Sequence, residues 1–483
     1  MVDDEDRDLM RAVARYLENV NGLQQQELRS TRTPLGDLIS DHLGADAAEI
    51  AVVQELIVDH RLVDADIALE RLSSVVGGRL VGVSGSEQRL HSSMAELVSN
   101  PHTRFTPGAV DYIERATGPS TSRRVVSMGL RLLSHQGHPI ALTQRAASAQ
   151  MGRPSAVLEV MCADPEVVSS FLGAVRSLMV EQSILRGQVL SFTPTEFGRG
   201  DAGTTFLPRP DVVASDVILP NGVLEEIERH VVGIGEHRDL LRDAGQHLKR
   251  GVLLYGPPGT GKTLTVRHLL ASTAGTTAVL LTGSSIRFIS AAAEIARTFQ
   301  PSIVVLEDID LVAMERHSSP QPLLFEVLEA LDGLDGLDGD ADVVFLMTTN
   351  RVDVLEKALA ERPGRVDLAV EVPLPSSVER ERLFRHYSHG LGFSDEALSQ
   401  AAASTEGVTG SFAKELIRRS VLRAAAQGEE VADAHLVAAL TELMSARQHL
   451  TRRMLGAESE DTTGRQEGGD SSSFGWVAYT PLS

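Results

Sequence analysis

A chain of 483 residues is too long for one core, so about two to four domains are expected, and a 42% apolar content suffices to build them. The net charge of −21 disfavours broad nucleic-acid binding, because phosphate backbones select basic surfaces. No stretch approaches the ~18 unbroken apolar residues that span a bilayer, and the acidic start from Met1 to Asp6 is unlike an export signal, so a cytoplasmic chain without membrane contact is expected.

Leu9, Met10, Val13, Leu17 and Val20 recur at helical spacing behind that acidic start, which suits a helix N-terminus. A second helix is expected over Leu35 to Leu43, stopped by Gly44, and a third from Ala47 to about Val58. Residues 1–105 therefore read as a helical region. After Thr106 the pattern changes. Residues 124–133 and 139–143 read as two strands around the turn at Gly137, His138 and Pro139. A strand at Ala156–Met161, a helix at Pro165–Val180 capped by Asp164, and a strand at Gln188–Phe192 follow. Together they suggest a small α/β domain over 106–210, closed by a glycine- and proline-rich linker from Gly198 to Pro210. The only cysteine, Cys162, excludes an internal disulfide and any cysteine-built metal site; its apolar run, 156–162, makes it a buried structural thiol.

From Gly251 to Val372, apolar β runs alternate with helical segments: Val252–Tyr255, Ala278–Leu281, Ile303–Leu306, Val343–Met347 and Leu368–Val372. Such alternation is the signature of a doubly wound parallel sheet. Residues 376 to about 446 carry only helical patterns, and after Leu455 the chain turns polar and rich in glycine and serine.

The run Gly256, Pro257, Pro258, Gly259, Thr260, Gly261, Lys262, Thr263 fits G-x-x-x-x-G-K-[ST] between a strand and a helix that continues through Leu264. Glycines let backbone N–H groups converge on phosphate oxygens at a helix N-terminus. Lys262 then neutralises the β- and γ-phosphates of ATP, and the Thr263 hydroxyl ligates Mg2+. Only four lysines occur among 45 basic residues (Lys249, Lys262, Lys357 and Lys414), so a compact ammonium is kept where the phosphates require it. About forty residues later an apolar run delivers Glu307, Asp308 and Asp310. Carboxylates directly after a buried strand are costly unless a cation accompanies them.

These residues resemble the AAA family of ATPases. The resemblance is carried by the phosphate loop, by Thr348-Thr349-Asn350-Arg351-Val352-Asp353 at the fourth strand's end, by Glu361-Arg362-Pro363-Gly364-Arg365-Val366-Asp367, and by Thr405 to Gly410. It covers about half the chain. It implies that Asn350 is the first sensor, that Arg362 and Arg365 are arginine fingers reaching a neighbour's ATP, and that Gly410 and Ser411 open the adenine-side helix of a lid. The reversed acid order, Glu307 then Asp308, and residues 347–353 and 362–368 look like one branch, the mitochondrial translocase of the folded Rieske protein; Val217 to Gly222 looks like its adenine-side segment. By position Glu307 assists Mg2+, through water, and Asp308 polarises the attacking water, with Asp310 as the fallback base. Successive strand residues face opposite ways, so position outranks residue type here. A finger that acts on the next subunit requires head-to-tail contacts, which close into a ring, in this family usually a hexamer.

The segment after the second strand, Gly283 to Ser290, is shorter than the pore loop of AAA unfoldases and lacks its aromatic–Val–Gly. Phe288 either grips a substrate or packs inside. Leu331 to Asp340 lacks the EF-hand ligand pattern and reads as a turn-rich connector, and His386 and His389 lack matching metal ligands. Phe474, Trp476 and Tyr479 sit in the polar tail, where aromatics either dock into a groove or stay free.

The expected fold is α/β: a P-loop doubly wound parallel sheet over 211–374 with a helical lid over 375–450, preceded by the helical and small α/β N-terminal domains and followed by a flexible tail over 451–483. The expected function is a ring ATPase that remodels, unfolds or translocates a protein, recognised directly or through an adaptor by the N-terminal domains. A nucleic-acid-directed motor and a slow nucleotide-dependent scaffold are the alternatives.

Overall fold

The computed structural model describes residues 31–148, 152–194, 202–310, 341–353 and 366–445. Outside these residues lie the expected helix around Leu9–Val20, the connector Leu331–Asp340, Arg362 and Arg365, and the aromatic tail. The chain forms two compact units, residues 1–256 with 261–372, and residues 257–260 with 373–483.

The first unit contains two sheets. Strands β1 (Val52–Ile57), β2 (Arg79–Ser84), β3 (Thr106–Gly108), β4 (Asp111–Ala116), β5 (Ser122–His135), β6 (His138–Arg145) and β7 (Ala156–Met161) make an antiparallel sheet ordered β1-β7-β6-β5-β2-β3, with β4 paired to β5. The helix Pro34–Leu43 is capped by Thr33, whose hydroxyl accepts from the Gly36 N–H, and stops at Gly44 (φ 68°) as expected. The expected third helix does not form. Ala47–Glu49 makes a single 3₁₀ turn, and Val52–Ile57 becomes β1. The run Val52-Val-Gln-Glu-Leu-Ile57 fits either period, and in-register pairing with the fully buried β7 decides for the strand. Residues before 105 thus supply two complete strands of the first sheet.

Both faces of this sheet are covered. Leu133, Ile140, Leu142, Leu158 and Val160 pack against helices Leu62–Val75 and Pro165–Glu181, the latter capped by Asp164. Met128, Leu130, Leu132 and Ala141 pack against Pro34–Leu43 and Met94–Val98. Side chains alternate across a strand, so two covered faces bury β7 along its whole length. Cys162 is buried in the first of these cores.

The second sheet comprises β8 (Val189–Pro194), β9 (Ala202–Leu207), β10 (Arg250–Tyr255), β11 (Thr277–Thr282), β12 (Ser302–Glu307), β13 (Val343–Thr349) and β14 (Leu368–Glu371), ordered β14-β10-β13-β12-β11-β8-β9. All neighbours are parallel except β9, which returns antiparallel on β8. The five apolar runs read from the sequence are β10 to β14. Two assignments change. The strand near Gln188–Phe192 belongs to this sheet rather than to the small domain, and part of the Gly198–Pro210 segment forms β9. Thr204, Thr205, Phe206 and Leu207 favour extended chain, and β11 offers β8 an open edge to extend. Arg209 fastens the end of this insertion by donating to the carbonyls of Leu270, Thr273, Gly187 and Thr276.

Residues 60–64 join the two sheets. Asp64 accepts from Arg61 Nε (2.7 Å), Ser183 Oγ (2.7 Å) and the Ile184 N–H (2.9 Å). The Arg61 guanidinium lies 5.1 Å over the Phe299 ring, and the His60 ring meets Phe192 edge-on at 6.2 Å. Burial pushes the His60 pKa down to about 4 and pushes the Asp64 carboxyl up.

In the second unit, helices Ser377–Tyr387, Asp395–Ala403, Gly410–Gln427 and Asp433–Met444 bury Leu383, Phe384, Phe412, Leu416 and Leu436. No helix among the described residues is long and apolar enough to cross a membrane.

Candidate active site

Strand β10 delivers the chain to Gly256, and the helix Lys262–Ser272 begins after Gly261. Gly256 has φ 143°, and a Cβ there would lie 2.3 Å from the Val372 carbonyl oxygen, so no other residue fits. Thr260 Oγ1 donates to the Pro257 carbonyl at 2.9 Å and closes the turn. Within the second unit, a Cβ on Gly259 would stand 2.8 Å from Ser411 Oγ, and the Ser411 N–H donates to the Gly259 carbonyl at 3.3 Å. At each of these positions glycine permits an approach that a Cβ would block. Thr409 caps the helix that Gly410 and Ser411 begin.

Lys262 is buried, and its Nζ donates to the Gly256 carbonyl at 2.7 Å. Desolvation pushes its pKa down to about 8, while the carboxylates of Asp308 and Asp310 pull the other way. The sheet thus brings the lysine and the acids together. Thr263 is exposed at the helix start, and Leu264 is half-buried against the core below the loop.

The acids leave the end of β12. Glu307 Oε1 is buried with no hydrogen-bond partner. An orphaned, desolvated carboxylate oxygen is costly unless a cation or ordered water satisfies it. The Glu307 carboxylate therefore fits a hard cation that takes oxygen ligands, as Mg2+ does. Asp308 follows with φ 52°, a left-handed conformation uncommon for residues with a Cβ and adopted more readily by asparagine and aspartate than by the rest. Its N–H donates to Thr348 Oγ1 at 3.0 Å, and its Oδ1 accepts from Asn350 Nδ2 at 3.1 Å. Asp310, buried, accepts from Thr349 Oγ1 (2.9 Å) and from the Asn350 N–H (3.2 Å). The ends of β12 and β13 are therefore laced together residue by residue.

Sequence reasoning missed two contributions. Thr348 and Thr349 lie inside a quoted motif, yet their hydroxyls bind the acid loop directly. His268, on the P-loop helix, contacts the Val212 carbonyl (2.9 Å) and Glu228 Oε1 (2.7 Å), on either side of the segment Val217 to Gly222. Val217, Ile218 and Leu219 are buried, and a Cβ on Gly261 would lie 3.9 Å from Leu219. A buried histidine amid the apolar residues of that helix was the available signal. Phe288, left open between gripping and packing, packs: it is buried in the core, 5.6 Å from Phe192. His386 stacks edge-on to Tyr387, and among the described residues no cluster of His, Cys, Asp and Glu can hold a metal by itself.

The sequence of this region matches known proteins. The model of the ATPase family associated with various cellular activities (AAA) matches residues 252–374. The chain is 35% identical over 249 residues to the ATP-dependent zinc metalloprotease FtsH of Acidothermus cellulolyticus, covering 48% of this chain and 36% of the relative. It is 30% identical over 219 residues to the 26S proteasome regulatory subunit 6A of Encephalitozoon cuniculi, covering 43% of this chain and 54% of that one. Both relatives are thus matched over about half their length or less. A third, the proteasome-activating nucleotidase of Sulfurisphaera tokodaii, is 30% identical over 270 residues and is covered over 67% of its length. At that coverage the likeness extends well beyond a shared phosphate loop, and the chain belongs to the AAA family of ATPases, enzymes that hydrolyse ATP with Mg2+.

Proposed function

We propose that this chain assembles head to tail into a ring, a hexamer by family habit, and couples ATP hydrolysis to remodelling, unfolding or translocating a protein. The observation that carries the catalytic part is the convergence of Lys262, Asp308 and Asp310, with Asn350 hydrogen-bonded to Asp308. Lys262 and the backbone of Gly256 to Gly261 hold the phosphates. Thr263 and Glu307 hold Mg2+, which supplies charge neutralisation at the β- and γ-phosphates. Asp308 accepts the proton of the attacking water, and Asn350 orients that water and Asp308 together. Val217 to Gly222 border the nucleoside.

The macromolecular part is supported by the relatives' names, an ATP-dependent zinc metalloprotease, a proteasome regulatory subunit and a proteasome-activating nucleotidase, which point to protein rather than nucleic acid as cargo. The net charge of −21 points the same way. The chain's N-terminal antiparallel sheet, tied to the core sheet at Asp64, offers the substrate or adaptor surface. Within the family, the Glu307–Asp308 order and the packed, non-gripping Phe288 favour the Rieske-translocase branch, whose cargo is folded. Operation in the cytoplasm is part of the same proposal.

Arg362 and Arg365 complete the neighbour's site, so turnover per protomer must rise steeply with protein concentration as rings form. An arginine supplied in trans contributes about 10³–10⁵ in rate in related enzymes. Steady-state hydrolysis measured across the assembly range, for the native chain and Arg365→Ala, tests this. A native rate independent of concentration, or an Arg365→Ala rate equal to it, overturns the ring mechanism. Stimulation by DNA but by no protein would favour the nucleic-acid motor instead.

A further inference from the structure

We infer that Thr348 is a positioning residue for hydrolysis: its hydroxyl holds Asp308 in the left-handed conformation that aims the catalytic carboxylate. The inference rests on the ATPase reading above and assigns a role to a residue outside the phosphate loop, the acids and the sensor.

Asp308 is one methylene shorter than the glutamate that a family member with the usual order carries at this place, so an extended backbone leaves its carboxylate short. A φ of 52° re-aims it. For a residue with a Cβ that conformation is strained, less so for aspartate than for most, and surrounding contacts hold it in place. Two contacts do, and both come from Thr348: its Oγ1 accepts the Asp308 N–H at 3.0 Å, and its carbonyl accepts the Ile309 N–H at 3.1 Å. Thr348 is 1% exposed, so water cannot replace the hydroxyl. The aimed carboxylate then meets Asn350 Nδ2 at 3.1 Å. Only the hydroxyl contact depends on side-chain identity, so it is the part that mutation can remove. Valine keeps the shape of threonine and abolishes the acceptor, leaving the Asp308 N–H without this partner. Serine restores the acceptor.

The test uses the full chain and four readouts: kcat, KM for ATP, the affinity for a fluorescent ATP analogue, and the melting temperature. Thr348→Val is expected to lower kcat about ten- to a hundredfold, the size of one lost hydrogen bond at a reacting group, with analogue affinity and KM changed less than about threefold. Thr348→Ser is expected to stay within about threefold of native kcat. Amide hydrogen exchange on the native chain adds a readout that does not depend on the variants folding: the Asp308 amide is expected among the slowly exchanging ones. Native kcat in a folded Thr348→Val, a Thr348→Ser defect as deep as that of valine, or fast exchange at Asp308 overturns the inference while leaving the ATPase reading intact. A native chain that binds the analogue and never turns over ATP sinks that reading and this inference together.

Discussion

Asn350 donates its side-chain amide to Asp308 at 3.1 Å, so the proposed sensor and the proposed base form one hydrogen-bonded pair. A shared pair has a kinetic consequence. Asp308→Asn keeps the shape and removes the proton acceptor, so kcat is expected to fall about 10²–10⁴-fold with nucleotide affinity nearly unchanged. Asn350→Ala removes orientation rather than the base and is expected to cost less. Because the two groups act on the same water, the double variant should fall well short of the product of the single effects. Single-turnover kinetics with radiolabelled ATP measures all three. Multiplicative losses would mean that the two residues act separately.

Lys262 gives the reaction an alkaline limit. Burial sets its pKa at about 8 in the free chain, and only the ammonium form neutralises phosphate. The protonated form binds ATP, so affinity is fullest below about pH 8 and falls as pH rises through it. Bound triphosphate holds the proton on, so the limb should appear in kcat/KM and be weak in kcat. Lys262→Arg, which does not deprotonate, should have lower activity at every pH and lose the limb. A kcat/KM that is flat from pH 7 to 9.5 would remove the lysine from phosphate binding.

Much of this site was legible from the sequence because its parts are local. The phosphate loop is eight consecutive residues, and the acids directly follow a four-residue apolar run rich in β-branched residues. What was not legible depends on partners distant in sequence. Val52–Ile57 reads as helix until β7, more than a hundred residues later, supplies its hydrogen bonds. Thr204–Leu207 reads as linker until β11 presents an edge for β8 and β9 to extend. The turn of Asp308 into the left-handed region is fixed by a hydroxyl forty residues away. Arg362 and Arg365, legible as a motif, lie outside the described residues.

His60 makes the joint between the two sheets acid-sensitive. Burial, reinforced by Arg61, lowers its folded pKa to about 4, below the ordinary value of 6.5. A depressed histidine prefers to be neutral when folded, so its contribution is fully present above pH 6.5 and is lost as pH falls from there toward 4. Asp64, pushed upward by burial, works in the opposite sense and partly offsets the loss. Melting temperatures between pH 7.5 and 4.5 should decline, and His60→Phe, which keeps a ring beside Phe192, should flatten that decline. An equally steep decline in His60→Phe would place the acid sensitivity elsewhere.

Phe288 separates a packing role from a gripping role, because each predicts a different failure. The ring is 7% exposed, tilted against Phe192 at 5.6 Å, and covered by the Arg287 guanidinium 4.8 Å from its centroid. Phe192 in turn meets His60, so the segment after β11 is packed toward the joint between the sheets. Removing a buried phenyl ring leaves a cavity and costs about 3–5 kcal/mol. Phe288→Ala is therefore expected to unfold at a clearly lower denaturant concentration, and Phe288→Leu to recover most of the loss. Turnover per folded protomer should stay near native in both variants, since the ring touches none of Lys262, Asp308 or Asn350. A gripping residue behaves in the reverse way: its alanine variant keeps native stability and loses substrate-stimulated turnover. Denaturant midpoints measured beside substrate-stimulated hydrolysis decide between the two, and an unshifted midpoint in Phe288→Ala would return this segment to the pore.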